Sequence, residues 1–265
     1  MTQPAIPFPA ATLVLLRDRP GGGVETLLIK RHAKSKFAGG DYVFAGGKVE
    51  TDDVPDDAEA FCAGLTAAEA AGRLGGGIGP REALGFWVGA IREAFEEVGV
   101  LLAYTASGDL VHWGSEDRER YAAHRAACHE ANPAFFAMLR AEGLTLAMDR
   151  IGYFAHWITP EESPIRFNTR FFAAVMPPRQ DAEADGREIV AVKWLTAEEA
   201  FAAFTREEIS LRLPTIKNLE LLRGASTAAA LVASLGTREV TPIRPRVFMV
   251  DGKPTPVLPG DPRWY

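Results

Sequence analysis

Cysteine is scarce in this chain: Cys62 and Cys128 are the only two among 265 residues. They fall in separate predicted helices with no metal-type spacing, which excludes a disulfide framework and a thiolate zinc centre and fits a reducing compartment. Histidine is sparse too, and His124 and His129 are five apart, an interval that places two side chains poorly on one helix face. Long apolar runs are missing. The longest, such as residues 171–176, are strand-sized, so no membrane association is expected. Residues 1–9 lack the basic region, apolar run and small-residue cleavage site of a secretory signal, and the expected location is cytoplasmic. Positive charge is in deficit, with 29 Lys and Arg against 35 Asp and Glu and a net charge of −6, which opposes general nucleic-acid binding. What remains is ordinary for a globular enzyme: 47% hydrophobic and 24% charged residues.

Periodicity outlines a mixed sheet enclosed by helices. Residues 11–16 and 25–31 read as strands around a Pro/Gly-rich turn, and residues 100–104, 151–159, 170–176 and 188–195 read as further strands. Helices are predicted over 81–98, over 116–142 with a second piece starting at Pro133, over 197–204 behind a Thr196 cap, and over 214–234 as one long element. Two short alanine-rich helices are expected over 56–63 and 66–74, the second opened by a Thr66/Glu69 capping box. Residues 247–257 read as a hairpin around Asp251-Gly252. No repeat or linker divides the chain. The expected architecture is α/β, an α/β/α sandwich built as a single domain over 1–265, with a helical insertion at about 51–80 and a helical cap at about 115–143.

The most informative segment is Arg92-Glu93-Ala94-Phe95-Glu96-Glu97-Val98-Gly99-Val100. At roughly 100° per residue, Ile91, Ala94, Phe95 and Val98 share an apolar arc while Glu93, Glu96 and Glu97 gather on the other side. Like charges at these spacings cost about 0.2–0.5 kcal/mol per pair on an isolated helix, a sign that a divalent cation would reverse. Hard oxygen ligands suit Mg2+ or Mn2+, which keep several waters and take one or two carboxylates plus substrate phosphate oxygens. The plain alternative is a solvated acidic face. Upstream, Gly46-Gly47-Lys48-Val49-Glu50 follows a strand-like run, and its glycines, read as a bend, allow close backbone approach to an ion or phosphate.

Together these segments resemble the Nudix box, G-x5-E-x7-R-E-U-x-E-E-x-G-U, where U is a bulky aliphatic. Gly47 matches the opening glycine, Arg92-Glu93 the R-E pair, Glu96-Glu97 the E-E pair, and Gly99-Val100 the close, with Ala94 small where U is expected. An extra stretch of about 31 residues separates Gly47 from Arg92. The first motif glutamate therefore falls on Asp53 counted forward and on Leu84 counted backward. Such an insertion resembles the branch of peroxisomal coenzyme A diphosphatases and their bacterial relatives. The run from Leu27 to Gly47 is also similar to the signature L-L-T-x-R-[SA]-x3-R-x3-G-x3-[FW]-P-G-G, with Arg31, Gly40, Phe44, Gly46 and Gly47 in register and Ile29, His32, Lys36 and Ala45 substituted.

The resemblance implies Mg2+- or Mn2+-dependent hydrolysis of a diphosphate linkage in a small-molecule nucleotide. Coenzyme A or an acyl-coenzyme A would give 3′,5′-ADP and 4′-phosphopantetheine or its acyl form. It implies Glu93, Glu96 and Glu97 as metal ligands or base, a carbonyl of Gly46 or Gly47 in the metal shell, and Arg92 orienting the glutamates within the catalytic group. An acidic residue near the start of the closing strand is a further metal candidate: Glu188, with Asp181, Glu183 and Asp185 as competitors. Arg31, Lys36, Phe44, Gly46, Gly47 and Arg166 are the expected substrate contacts, the charges of Arg31 and Lys36 suiting a 3′-phosphate or the diphosphate. Two alternatives remain open: a Nudix diphosphatase for NADH, ADP-ribose, a nucleotide sugar or a dinucleoside polyphosphate, and a non-catalytic nucleotide-binding module. A homodimer is a further open reading, although core burial explains the aromatic strand 167–172 better than an interface does.

Overall fold

The computed structural model describes all residues except 1, 2, 36, 113, 115, 116, 251 and 265. In chain order the described strands are β1 (Phe8–Asp18), β2 (Val24–Arg31), β3 (Tyr42–Val43), β4 (Ala45–Lys48), β5 (Cys62–Ala63) and β6 (Ala103–Tyr104), followed by β7 (Thr145–Ala147), β8 (Ile151–Ile158), β9 (Phe167–Val175), β10 (Ile189–Leu195), β11 (Arg246–Val250) and β12 (Lys253–Val257). The helices are α1 (Ala67–Leu74), α2 (Pro80–Val98), α3 (Arg118–Glu130), α4 (Pro133–Glu142), α5 (Ala197–Thr205), α6 (Leu213–Leu221) and α7 (Ala228–Gly236).

The main sheet runs β10-β2-β1-β9-β8, with β3 beside β2 and β4 beside β1. β1 lies at its centre, and its apolar run is continuous because both faces are covered. Ala11, Leu13 and Leu15 face the core that contains α2, while Val14 and Leu16 face the core under α5 to α7. This is the expected α/β/α arrangement. One edge of β1 is divided between two partners: its C-terminal half pairs antiparallel with β2, from Leu16↔Thr26 onward, and its N-terminal half with β4, from Ala10↔Lys48 to Leu13↔Ala45. The other edge pairs in parallel with β9 along its length. A cleft is lined from this region, by Ala10 and Thr12 of β1, Arg31 of β2, Val43 of β3 and Gly46 to Lys48 of β4.

Several elements differ from the sequence expectations. Gly46-Gly47, read as a bend, lies within strand β4, because the non-local pairing with β1 fixes an extended backbone. The predicted helix over 56–63 is a 3-10 turn, Ala58–Phe61, that runs into β5, whose pairing with β7 claims the next residues. The helix predicted over 214–234 is two, α6 and α7. Gly224 takes a left-handed φ of 73°, and Thr227 then restarts the helix by accepting from the Ala230 N–H. Val100 to Leu102 is not strand: the buried Gln180 side chain accepts from Leu101 N–H and donates to Leu101 C=O, substituting for a neighbouring strand.

The insertion lies along the flank of α2 rather than over the cleft. Val49, Val54 and Asp53 approach the α2 glycines so closely that a Cβ on Gly89 would stand 3.1 Å from Asp53 Oδ2. A helix-interior glycine costs about 1 kcal/mol relative to alanine, and here close packing of the insertion supplies the reason for it. Arg140 of α4 pairs with Asp57 at 2.6 Å, and Phe61 meets Phe136 edge-on, so insertion and cap brace each other on that side. Among the described residues, the cap reaches the cleft where α3 gives way to α4, through Cys128, His129 and Asn132.

Candidate active site

The cleft has a volume of about 940 Å³ and two unlike ends. One is acidic, with Glu93, Glu96 and Glu97 from α2 and Glu188 from the segment before β10. The other is apolar, with Phe37, Phe44, Trp157, Phe167 and Phe171 over the sheet and Val247, Pro254 and Pro256 from the terminal hairpin.

The carboxylates are not a solvated helix face. Glu96 and Glu97 are buried, and Glu93 is half-buried. Glu97 Oε2 accepts from Gly46 N–H at 2.8 Å, and a Cβ on Gly47 would stand 2.5 Å from Glu93 Oε2. A Cβ on Gly46 would collide with the Ala11 carbonyl oxygen and Thr12. The two glycines thus allow β4 to fit between the central strand and the acidic helix, and any side chain there would push the carboxylates away. Burial raises the pKa of all three acids, Glu96 to about 7 and Glu97 well above its usual range, with neighbouring carboxylates adding to the effect.

Arg92 holds the cluster from behind. It is 2% exposed, and each guanidinium nitrogen is engaged. Nε and Nη2 grip Asp53 at 2.6 and 3.1 Å, Nη2 also donates to the Lys48 carbonyl at 2.8 Å, and Nη1 donates to Glu93 at 2.9 Å and Glu96 at 3.2 Å. Asp53, 1% exposed, also accepts from Glu50 N–H at 2.8 Å. Forward counting from Gly47 therefore identifies the position that serves Arg92, and backward counting does not, since Leu84 is an apolar core residue. Arg92, expected within the catalytic group, has every guanidinium nitrogen engaged by Asp53, Lys48, Glu93 or Glu96.

Other expected residues separate into two groups. Arg31, Phe44, Gly46, Gly47 and Glu188 line the cleft together with the three glutamates. Arg31 lies between two acids, Nη1 3.5 Å from Glu97 and Nη2 3.7 Å from Glu188, and its buried Nε has no protein partner. Arg166 is a correction. It is buried outside the cleft and donates to the Thr159 carbonyl at 3.1 Å and the Ala5 carbonyl at 2.6 Å, so it fastens the chain leading into β1. Lys36 lies outside the described residues. Among the acids before β10, Asp181 and Glu183 are exposed and near Arg118, while Asp185 is turned inward onto backbone N–H groups. Of these four, Glu188 lines the cleft. The sequence reading missed Asp53 as the partner of Arg92, for which position in the motif was the available signal, and His129, which lines the cleft without any motif to mark it.

Among the described residues no three His, Cys, Asp or Glu side chains converge into a complete metal cage. The donors nonetheless fit a hard dication that keeps water and phosphate ligands. Glu96 Oε1 is buried with no hydrogen-bond partner, and protons are drawn to all three acids where a cation would otherwise neutralise them.

The comparisons agree with this geometry. Residues 69–222 match the family described as the NUDT19 Nudix domain. The chain is 25% identical over 248 residues to the acyl-coenzyme A diphosphatase NUDT19 of Xenopus laevis, covering 83% of this chain and 63% of that protein. It is also similar to the crystal structure of a Nudix hydrolase from Alicyclobacillus acidocaldarius, with a TM-score of 0.70, 26% identity, and coverage of 89% of this chain and 99% of the other. With the family matched over more than half its length, and the box residues gathered in one cleft, this chain belongs to the NUDT19 Nudix domain family.

Proposed function

We propose that this protein is a Nudix diphosphatase that hydrolyses the diphosphate linkage of coenzyme A or an acyl-coenzyme A, releasing 3′,5′-ADP and 4′-phosphopantetheine or its acyl form. The observation that carries this reading is the buried set Glu93, Glu96 and Glu97 facing Gly46-Gly47 at one end of a cleft whose other end is apolar. Such a cleft suits a molecule with a charged bridge and an uncharged arm. The coenzyme A preference also draws on the likeness to the Xenopus laevis enzyme, of which this chain spans 63%.

In this reading Glu93, Glu96 and Glu97 hold Mg2+ or Mn2+, with Glu188 and a Gly47 carbonyl as further donors. The bound ion would act as a Lewis acid on the phosphate oxygens and lower the pKa of bound water. The chain itself does the rest. Arg92 and Asp53 fix the directions of Glu93 and Glu96, and Gly46 N–H fixes Glu97. Arg31 supplies positive charge to the diphosphate. Its place between Glu97 and Glu188 favours that role over recognition of a remote 3′-phosphate.

The test is turnover by the purified protein with Mg2+ or Mn2+ on coenzyme A, acyl-coenzyme A, NADH, ADP-ribose and diadenosine polyphosphates. Preferential release of 3′,5′-ADP supports the proposal. Preference for another compound assigns a different Nudix specificity, and binding without turnover in any arm assigns a non-catalytic module.

A further inference from the structure

Helix α3 meets the segment before β10 at successive points along one side. Arg125 donates from Nε to the Glu96 carbonyl at 2.8 Å and from Nη2 to the Glu183 carbonyl at 2.9 Å, so one guanidinium joins the acidic helix to that segment. Four residues on, His129 Nε2 lies 3.7 Å from Asp185 Oδ2, and the adjacent Glu130 pairs with Arg187 at 3.0 Å. Spacings of four and five residues put these side chains on one flank of the helix. Asp185 stands where they converge. Its side chain is 2% exposed, and it accepts from the N–H groups of Arg187 at 3.0 Å, Glu188 at 3.1 Å and Ile189 at 2.8 Å. Beyond this turn, His32 N–H donates to the Glu188 carbonyl at 2.7 Å, which fastens the backbone of Glu188 to the end of β2 beside Arg31.

We propose that Asp185 is a positioning residue: it fixes the turn that presents Glu188 at the diphosphate end of the cleft, and α3 holds that turn through Arg125 and His129. The proposal rests on the reading of Glu188 as part of the metal and diphosphate site. Its physical basis is the contrast between the two acids. Glu188 is an exposed side chain that lines the cleft, with the long 3.7 Å pair to Arg31 beside it, so that its place is set chiefly by its backbone. Asp185 is buried and turned away, its oxygens committed to that same backbone. Outer partners of this kind typically change metal affinity or activity by 10–100-fold when removed.

The experiment is a double-mutant cycle on the full chain, read by steady-state kinetics on coenzyme A and, independently, by Mn2+ binding to the free protein followed by electron paramagnetic resonance. Asp185→Ala and Glu188→Gln are each expected to lower kcat about 10–100-fold and weaken Mn2+ binding about tenfold. The combined variant is expected to be no worse than Glu188→Gln alone, because both changes remove the same contribution. His129→Ala should move both readouts in the same direction by less. Thermal melts establish that each variant is folded. Should Asp185→Ala fail to fold, Asp185→Asn, which keeps the shape and removes the charge facing His129, enters the same cycle. Losses that multiply in the double variant, or an Asp185 variant with unaltered kcat and Mn2+ affinity, would overturn the proposal. Absence of coenzyme A turnover by the unaltered protein, with the non-additive Mn2+ pattern intact, would instead refute the substrate reading and leave the positioning role standing.

Discussion

At the acidic end of the cleft each of the three α2 glutamates is held by a protein donor, Glu93 and Glu96 by Arg92 and Glu97 by Gly46 N–H, whereas at the apolar end the lining residues come from β8, β9, the segment bearing Phe37 and a terminal hairpin. Arg92 and Asp53 sit behind the glutamates at 2% and 1% exposure, but Phe37 at the far end is 42% exposed and touches Phe167 edge-on at 5.0 Å. The difference teaches where chemistry and selection reside. Holding three carboxylates together in a low-dielectric site demands fixed, paired partners. Accommodating an uncharged arm requires only shape and apolar area. The family match, residues 69–222, contains the acidic helix together with Trp157, Phe167 and Phe171, and omits Gly46-Gly47, Phe37 and the hairpin, so it takes in part of each end.

The sharpest way to break the comparison is to disarm the acidic end while leaving its volume. Glu97→Gln is expected to lower metal-dependent kcat on the order of 10²–10³-fold, since it removes an anionic ligand proposed to hold the cation that neutralises the reacting phosphates. Stability should not fall. Burial holds the Glu97 carboxyl well above its usual pKa, so a neutral amide relieves a cost at neutral pH. Turnover that survives in saturating metal, with the fold intact by circular dichroism, would show that the end is acidic for some other reason.

Next in size is the pair behind the site. Asp53→Ala would leave the Arg92 guanidinium buried and half unanswered, a change worth about 3–5 kcal/mol of stability for a buried ion pair broken on one side. Urea denaturation measures this directly. A loss under about 1 kcal/mol, the range of exposed pairs, would mean that water reaches Arg92.

A third test uses pH. Glu96 titrates at about 7 in the fold because burial raises it from 4.5. A carboxyl raised by folding contributes stability that is complete below pH 4.5 and is lost as pH climbs through about 7. The melting temperature of the metal-free protein, compared with that of Glu96→Gln, should therefore fall across this window, by roughly 5 °C for a few kcal/mol in a chain of this size. Mn2+ should flatten the difference by taking the place of the proton. A constant gap from pH 5 to pH 8 would contradict the buried, proton-seeking character of this end.

The two ends were also unequally legible in the sequence. The acidic helix could be read because its ligands lie within one contiguous stretch and its spacing repeats the helical period. Asp53 was ambiguous by counting alone. The decision comes from packing, since Gly89 leaves the room that the insertion occupies against α2. Arg166 resembled a phosphate contact because a buried arginine and an exposed one look alike in sequence. Its true partners, the Ala5 and Thr159 carbonyls, are backbone groups that only the folded chain assembles. Likewise Gly46-Gly47 read as a bend until β1 was found beside it. At the apolar end Phe44 belongs to a motif, but Phe37, Trp157 and Val247 are marked by none and meet there through three distant parts of the chain.

The smallest expected effect lies at that end, where the comparison can be sharpened rather than broken. Phe37→Ala removes an aromatic face from the cleft while Phe167 keeps Phe8 as a neighbour at 6.2 Å, so the fold should tolerate it. An aromatic contact of this kind is worth about 0.5–1.5 kcal/mol beyond area burial, which corresponds to roughly a 2- to 10-fold change in affinity. If the apolar end serves binding alone, that change falls on KM, with kcat held, and it is larger for an acyl-coenzyme A than for ADP-ribose, which has no such arm. A fall in kcat equal for both substrates would place Phe37 in the chemistry of the acidic end and dissolve the division between the two.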